Sequence, residues 1–386
     1  MNLGPLQCRE IELVVKITKH CNLRCSYCYE YPHLANKNIM SIENITRLLC
    51  HLNQFAVDEP GSAEDGFSFI WHGGEPFMVP LEHYEEIGRL QRTILGPLNY
   101  QNFVQTNLTI LTERHIEWIR SGRFFAHMGV GFSFDVYGDQ RRDLRGRATS
   151  SKIMGNLQLL LDNKIRASGI TVLSSSTRPH LRNIFHFFDN LGLDFRLLPY
   201  HLETNPMQTS TNGVAPNDIA AAMCELFDLW CQSEDPITIS PLNDYTEDAI
   251  SFINNRKNFY YNKAVNEHIF IIDTNGDLCG HETYMSEHRY GNLFEQPLGD
   301  ILRSETRRRL VTKAARRMEQ YCANCEFFGA CSGFPVAEAS PMEEQWLSRD
   351  GCYVAKILSH IVGRLTNAGL GLLPGTAQSG DKFVAM

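Results

Sequence analysis

The 386-residue chain contains no run of about 18 to 20 consecutive apolar residues, the length a membrane-spanning helix requires. Its opening segment, Met1 to Glu12, has no apolar core of the kind that marks a secretory signal. Positive charge is in short supply: 36 Lys and Arg stand against 44 Asp and Glu, a formal net charge of -8. Such a surface cannot neutralise a phosphate backbone, which argues against a nucleic-acid partner. The one basic run, Arg307-Arg308-Arg309, lies in a segment with helical apolar spacing and reads as a solvated helix face. Together these absences point to a cytoplasmic protein with neither membrane nor nucleic acid as its partner. Hydrophobic residues at 43% and charged residues at 21% are ordinary for a folded globular chain. The length leaves room for one large catalytic domain and a smaller appendage.

What the chain does have is twelve cysteines, and in a reducing compartment clustered cysteines suggest metal or catalysis before disulfides. Around them runs a repeated pattern of β-rich stretch, loop and amphipathic helix. The six strand segments are Glu12–Thr18, Phe67–Trp71, Phe103–Thr106, Val130–Asp135, Ile170–Ser174 and Phe195–Tyr200. Alternation of this kind predicts an α/β fold with a parallel sheet and right-handed crossovers, open or closed into a full or partial barrel. A polar stretch from Glu203 to Asn217 breaks the pattern and reads as a linker. Helical patterns follow over Asp218–Gln232 and Leu242–Asn255, then a strand over Ile269–Asp273 that enters a turn at Asn275-Gly276. The expected division is a core over 1–202, a linker and bridging helices over 203–265, a cysteine-rich domain over 266–367 and a mobile tail over 368–386.

Cys21, Cys25 and Cys28 supply three thiolates from eight residues directly after the first strand. A [4Fe-4S] cluster bound by three cysteines keeps one iron open for an exchangeable ligand. Zinc is the rival occupant, with His20 as a possible fourth ligand. The spacing Cys-x3-Cys-x2-Cys, with Tyr27 between the last two cysteines, resembles the signature of the radical S-adenosylmethionine (SAM) superfamily. The run Gly73-Gly74-Glu75-Pro76 after the second strand resembles a second feature of that family. The resemblance covers about residues 10 to 200 and implies a partial (β/α)6 barrel of the TIM type. It also implies a cluster on Cys21, Cys25 and Cys28 whose open iron takes SAM, and reductive cleavage of SAM to a 5′-deoxyadenosyl radical. Gly73 and Gly74 would let the backbone approach the ligand, and Glu75 would accept its ammonium group. Asn107 and Ser133, at strand ends, look like further SAM contacts, and Arg145 resembles the carboxylate-binding arginine, although Arg141 and Arg142 leave its register open. Capping of the following helices is the alternative role for the polar strand ends.

Cys322, Cys325, Cys331 and Cys352 form a second constellation of four thiolates, a closed set for a cubane, with zinc again the physical alternative. The order resembles the SPASM extension of radical SAM peptide maturases such as the anaerobic sulfatase-maturating enzymes, and implies a small C-terminal iron-sulfur extension with an auxiliary cluster. The resemblance is partial. A full extension holds a second auxiliary cluster, yet Pro335 stands where one of its cysteines is expected, and Tyr260 to Leu278 contains no cysteine to partner Cys279. The expectation is therefore two [4Fe-4S] clusters, with Cys279 either a small buried hydrophobe or a hydrogen donor.

These resemblances imply an enzyme that abstracts hydrogen from an unactivated carbon of a ribosomally made peptide, by cross-linking, as in cyclophane-forming maturases, or by oxidation. Phe195-Arg-Leu-Leu-Pro199 fits that group. An external electron donor is required, and the twenty residues before Cys21 are too few for a leader-binding module, so a separate leader-binding protein is a candidate partner. A dehydrogenase or epimerase of a carbohydrate or aminocyclitol, with a small sugar-like substrate, is the competing enzyme class. A non-catalytic metal-binding regulator is the alternative of another class. Asp273, Asp277 and Glu282, near Cys279, are the candidate bases.

Overall fold

Apolar residues on both faces of a strand let it lie inside a parallel sheet, and the run Glu10–Thr18 is buried on both faces over most of its length. A computed structural model describes residues 6–8, 10–96, 98–125, 129–200, 212–256, 259–280 and 288–367. In chain order its elements begin with β1 (Glu10–Thr18), α1 (Ile42–Asp58), β2 (Gly66–Gly73), α2 (Leu81–Ile94), β3 (Tyr100–Thr106) and α3 (Glu113–Arg120). There follow β4 (Gly129–Ser133), α4 (Ser150–Asp162), β5 (Arg166–Leu173), α5 (Leu181–Asn190), β6 (Phe195–Pro199) and α6 (Pro216–Trp230). Next come β7 (Ile239–Ser240), α7 (Leu242–Ile253), α8 (Lys263–Asn266), β8 (Ile269–Ile272), β9 (Asp277–Cys279) and β10 (Arg289–Asn292). The last helices are α9 (Leu298–Leu302), α10 (Glu305–Arg317), α11 (Phe334–Ala337), α12 (Pro341–Asp350) and α13 (Tyr353–Asn367).

All six expected strands are present, each followed by a helix, and the α/β class with a parallel sheet is the observed one. Local chemistry sets the helix starts. Ser41 caps α1 by accepting the Asn44 N–H, and Ile45, Leu48, Leu49, Leu52 and Phe55 bury its apolar stripe. Thr112 caps α3 in the same way through the His115 N–H.

The described residues divide into two compact units. The first takes those within 1–133, 139–167 and 262–312, and its strands run in the order β10-β9-β8-β1-β2-β3-β4. β1 to β4 are parallel, β8 lies parallel on the free edge of β1, and β9 and β10 turn back antiparallel. The second takes those within 134–138, 168–261 and 313–386, with β5, β6 and β7 parallel and α13 packed on α6 and α7. This division cuts across the sequence-continuous domains expected above. The reason is β8: pairing of Glu12–Val15 with Ile269–Ile272 draws the start of the expected extension onto the N-terminal sheet. Residues 203–211 of the expected linker and the tail 368–386 lie outside the described residues.

The basic run is not a uniform solvated face. Arg307 is 1% exposed, and its guanidinium donates to Glu267 at 2.8 Å and to the carbonyls of Leu302, Lys263 and Ala264. Lys263 and Tyr290 bind the other oxygen of Glu267, both at 2.7 Å. A buried charge survives only where partners satisfy it, and here three elements supply them.

Candidate functional site

The three cysteines of the first constellation sit at the carboxyl end of β1, the edge of a parallel sheet where ligand-facing residues gather. Cys21 and Cys25 are buried, with Leu23 and Leu34 packed among them and Tyr27 and Cys28 against them. Hydrogen bonds from Ser26 N–H to the Gln140 carbonyl and from Arg24 N–H to the Arg142 carbonyl fasten the loop. Burial pushes the Cys21 and Cys28 thiols up to about 12, and their mutual proximity adds to the shift. Ionising them requires a cation to replace the lost hydration. Among the described residues, no three of His, Cys, Asp and Glu close to the spacing that grips a single metal ion. Thiolates on one tetrahedral zinc would stand about 3.8 Å apart, given its ~2.3 Å bonds.

Gly73 and Gly74 have no room for a side chain on the side that faces the end of β1. A Cβ at Gly73, where φ is +131°, would meet the Thr18 carbonyl oxygen at 2.0 Å. At Gly74 it would lie 2.3 Å from the His20 oxygen and 2.4 Å from that of Lys19. The two glycines let β2 close against the end of β1, and the N–H groups of Gly74 and Glu75 donate to Thr18 and His20. Glu75 is fully buried. Its Oε1 accepts from Phe77 N–H at 2.8 Å and Thr106 Oγ1 at 2.6 Å, and its Oε2 accepts from Asn107 N–H at 2.7 Å. Burial nonetheless outweighs these bonds and lifts the carboxyl to about 7.

Asn107 reaches the cysteine loop itself, its amide donating to Cys21 Sγ at 3.7 Å and to Asn22 Oδ1 at 2.9 Å. Ser133 accepts from Gln105 Nε2 at 2.9 Å at the neighbouring strand end. Arg145, by contrast, is exposed on a turn whose backbone is held by Asp143. The arginine facing the cysteine loop is Arg141, 5.5 Å from the Tyr27 ring centre and close enough to Glu75 to favour its ionised form. Beside it, the Gln140 amide is 4% exposed and neither of its polar atoms has a partner among the described residues. An orphaned buried amide costs about 1–3 kcal/mol unless something binds it. A three-thiol donor set, a buried carboxyl and an unsatisfied amide beside an arginine together fit a polar ligand completing a cluster.

Sequence reading missed the buried pair Lys16–Glu30. Lys16 lies in the middle of apolar β1, ion-paired with Glu30 two residues after Cys28, and its ammonium sits 4.7 Å from the centre of the Tyr29 ring. A lysine inside an otherwise apolar strand was the available signal. Lys19 bridges outward, 2.7 Å from Asp273 and 3.7 Å from Glu30, so Asp273 is tied to the cysteine loop. Asp277 is committed to its hairpin through Arg289 at 2.9 Å and through Asn275 and Asn292 at 3.0 Å each. Cys279 is buried on β9 opposite Ile271 and Arg289, and burial holds its thiol up to about 11. Gly280 follows because a Cβ there would meet Glu267 and Tyr290 oxygens at 2.5 Å. Glu282 lies outside the described residues.

The second constellation is built differently, inside the second unit. Cys322 ends a π-helical turn continuing α10, Cys325 follows in a tight turn, and Cys331 is anchored by its N–H on the Phe327 carbonyl at 2.7 Å. Cys352 stands just before α13, where the Val354 and Ala355 N–H groups meet its sulfur, as an anion at a helix start requires. Burial raises Cys322 to about 12 and raises Cys331 and Cys352 as well. The surroundings are apolar: Met318, Val336 and Ala337, with Phe328, Phe334 and Leu347. One carboxyl intrudes. Asp248 of α7 hydrogen-bonds Cys331, and burial, then Asp244, lifts it to about 7. Four convergent thiols in a mainly apolar setting, with Asp248 as the carboxyl beside them, fit a closed cluster.

A model of the radical SAM superfamily matches residues 15–188, and one of the SPASM iron-sulfur cluster-binding domain matches residues 265–326. A cysteine-type anaerobic sulfatase-maturating enzyme from Clostridium novyi is 24% identical over 328 residues, covering 83% of this chain and 86% of the relative. A serine-type anaerobic sulfatase-maturating enzyme from Bacteroides thetaiotaomicron is 22% identical, with 81% and 79% covered. Among solved structures, native anSMEcpe with bound AdoMet and Cp18Cys peptide superposes with a TM-score of 0.70 at 19% identity, covering 94% of this chain and 99% of that one. Streptococcus suis SuiB bound to precursor peptide SuiA superposes at 0.59 with 15% identity, covering 86% and 74%.

Proposed function

The chain belongs to the radical SAM superfamily and carries its SPASM extension, and from that premise we propose that it modifies a ribosomally made peptide by cross-linking or oxidising a side chain. SAM and [4Fe-4S] clusters are its cofactors. With both bound, reductive cleavage of SAM supplies a 5′-deoxyadenosyl radical that abstracts hydrogen from an unactivated carbon. On this reading Cys21, Cys25 and Cys28 hold the SAM-binding cluster, and Cys322, Cys325, Cys331 and Cys352 the auxiliary one. Arg141 and Gln140, beside Tyr27, bind SAM's polar groups, with Glu75 and Asn107 fixing the strand ends around it and Ser133 at the next strand end. Arg141 takes the place expected of Arg145, because it faces the loop.

The observation that carries the peptide reading is the full-length likeness to anSMEcpe, a protein solved with a peptide bound. Asp273, held by Lys19 beside the cysteine loop, is the better-placed base for a released proton; Asp277 is spent on its hairpin. One feature favours the alternative, an epimerase of a sugar-like substrate: Cys279 keeps its proton at neutral pH and so can return a hydrogen atom.

Anaerobic reconstitution tests the proposal. The expected result is about eight irons per chain, four for each cubane, with 5′-deoxyadenosine released and a short peptide encoded beside this gene losing a hydrogen pair. Uptake of solvent deuterium without loss of hydrogen would favour epimerisation. Stoichiometric zinc with no SAM cleavage would sink both.

A further inference from the structure

We propose that Asn107 sets the reduction potential of the cluster on Cys21, Cys25 and Cys28, through the N–H that its side-chain amide directs at the Cys21 sulfur. The inference rests on the reading that these three thiolates carry the SAM-binding cluster.

Asn107 Nδ2 lies 3.7 Å from Cys21 Sγ, and the Leu23 backbone N–H adds a second donor at 3.4 Å. The orientation of the amide is fixed by its neighbours. The Thr109 N–H is only a donor, so the atom facing it at 2.9 Å must be Asn107 Oδ1, and Thr109 Oγ1 donates to the same oxygen at 2.6 Å. The NH2 group is then left for Cys21 and Asn22. Asn22 Nδ2 donates in turn to Thr109 Oγ1 at 2.8 Å and closes a ring of three side chains. The Asn107 N–H is bound by Glu75, so the residue is held from both ends.

The backbone carries strain that serves this placement. Leu108 is fully buried at φ +55°, a left-handed conformation that costs a residue with a Cβ about 1–3 kcal/mol. Its N–H is pinned by Thr106 Oγ1 at 3.0 Å and its carbonyl by Asn156 at 2.8 Å. Helix capping does not account for Asn107, since α3 is capped by Thr112.

The chemistry follows from charge. One-electron reduction, [4Fe-4S]2+ + e− → [4Fe-4S]1+, with the electron supplied by an external one-electron donor, adds negative charge that spreads onto the sulfurs. An N–H pointed at one of them stabilises the reduced state more than the oxidised one and raises the potential. Asn107 and Cys21 are both buried, so water does not screen the effect.

The experiment is an EPR-monitored redox titration of the reconstituted full-length enzyme, with dithionite as reductant and no SAM. The first cluster is identified afterwards as the component whose signal changes when SAM is added. Asn107→Leu is expected to lower that component's potential by about 59 mV, a tenfold change in a one-electron equilibrium. Thr109→Val, which releases the amide from its ring, is expected to shift it the same way by less, with iron content unchanged. If Asn107→Leu loses its iron, Thr109→Val carries the test alone. Wild-type potentials in both variants overturn the inference, as does loss of iron in both, which would make Asn107 a strut. A weaker SAM affinity with an unmoved potential also overturns it and makes Asn107 a SAM contact. Failure of the underlying reading looks different: no component of the wild-type signal would respond to SAM.

Discussion

The two thiol sets differ in what surrounds them. The first sits at strand ends among polar side chains that are themselves held rigid: Glu75 by three donors, Asn107 by its ring with Asn22 and Thr109. The second sits among helix ends and apolar side chains, and its polar contacts are mostly backbone N–H groups. A site that must admit and orient a charged ligand needs directed side chains, and each must be satisfied when buried. A site that only holds and passes charge needs thiolates, N–H groups and a dry wall. The three thiols stand beside several directed polar side chains, and the four stand in a mainly apolar setting with one carboxyl, Asp248, against Cys331.

That contrast can be broken most sharply at the cysteines. Cys28→Ala is expected to abolish 5′-deoxyadenosine release, whereas Cys325→Ala leaves SAM cleavage intact but uncoupled from product. Equal loss of cleavage in both variants would remove the division of labour. Glycine substitutions compare the two walls. Gly74→Ala drives a Cβ into two backbone carbonyls that cannot move alone, and a cost of about 4 kcal/mol or more is expected. At Gly333, φ is +77° and the added carbon meets the end of Met318 at 2.5 Å, a flexible chain that can swing away. Gly333→Ala is therefore expected to cost only about 1–2 kcal/mol, for the left-handed backbone. Thermal midpoints of the apo proteins decide it, and equal losses would make the second wall as rigid as the first.

A graded effect is expected in pH. Glu75 rises from 4.5 to about 7 on folding, so the folded chain keeps a proton that the unfolded chain sheds. Below pH 4.5 both states are protonated and the group contributes nothing. As pH climbs from 4.5 to 7 it removes stability, by up to about 3 kcal/mol at 1.36 kcal/mol per unit, and above 7 the loss is constant. Asp248 acts in the same direction from 3.8 to about 7, but it is only partly buried and solvent discounts its share. Glu75→Gln should flatten the midpoint-against-pH curve in this window more than Asp248→Asn. The reverse order would show that the first site is the wetter one.

Much of this architecture is legible in the residues. The six strands and their helices were placed within a few positions because their burial is periodic and local, and both cysteine sets were marked by spacing alone. What escaped depends on partners far along the chain. Lys16 looks like a flaw in β1 until Glu30 is beside it, and Arg307 looks solvated until Glu267, forty positions earlier, is found against it. Arg141 and Arg145 are indistinguishable by type; only the turn through Asp143 decides which side chain faces Tyr27. The glycines at 73 and 74 answer also to a neighbour outside their own stretch of sequence, since the end of β1 fills the position a side chain would take. β9 and β10 were too short to show a period; the turn at Gly276 folds β9 back on β8, and β10 adds to β9 in turn.

The pairing of β8 with β1 also governs the order of events during synthesis. Lys19 and Asp273, bonded across that join, are 254 positions apart. At about 5–20 residues per second, the ribosome needs on the order of ten to fifty seconds to supply the missing neighbour. Throughout that interval the apolar edge of β1 stays without its outer strand, and the cysteine loop that follows it is presented without its later flank. A nascent chain of this kind presents Cys21, Cys25 and Cys28 early and gains β8 beside β1 late.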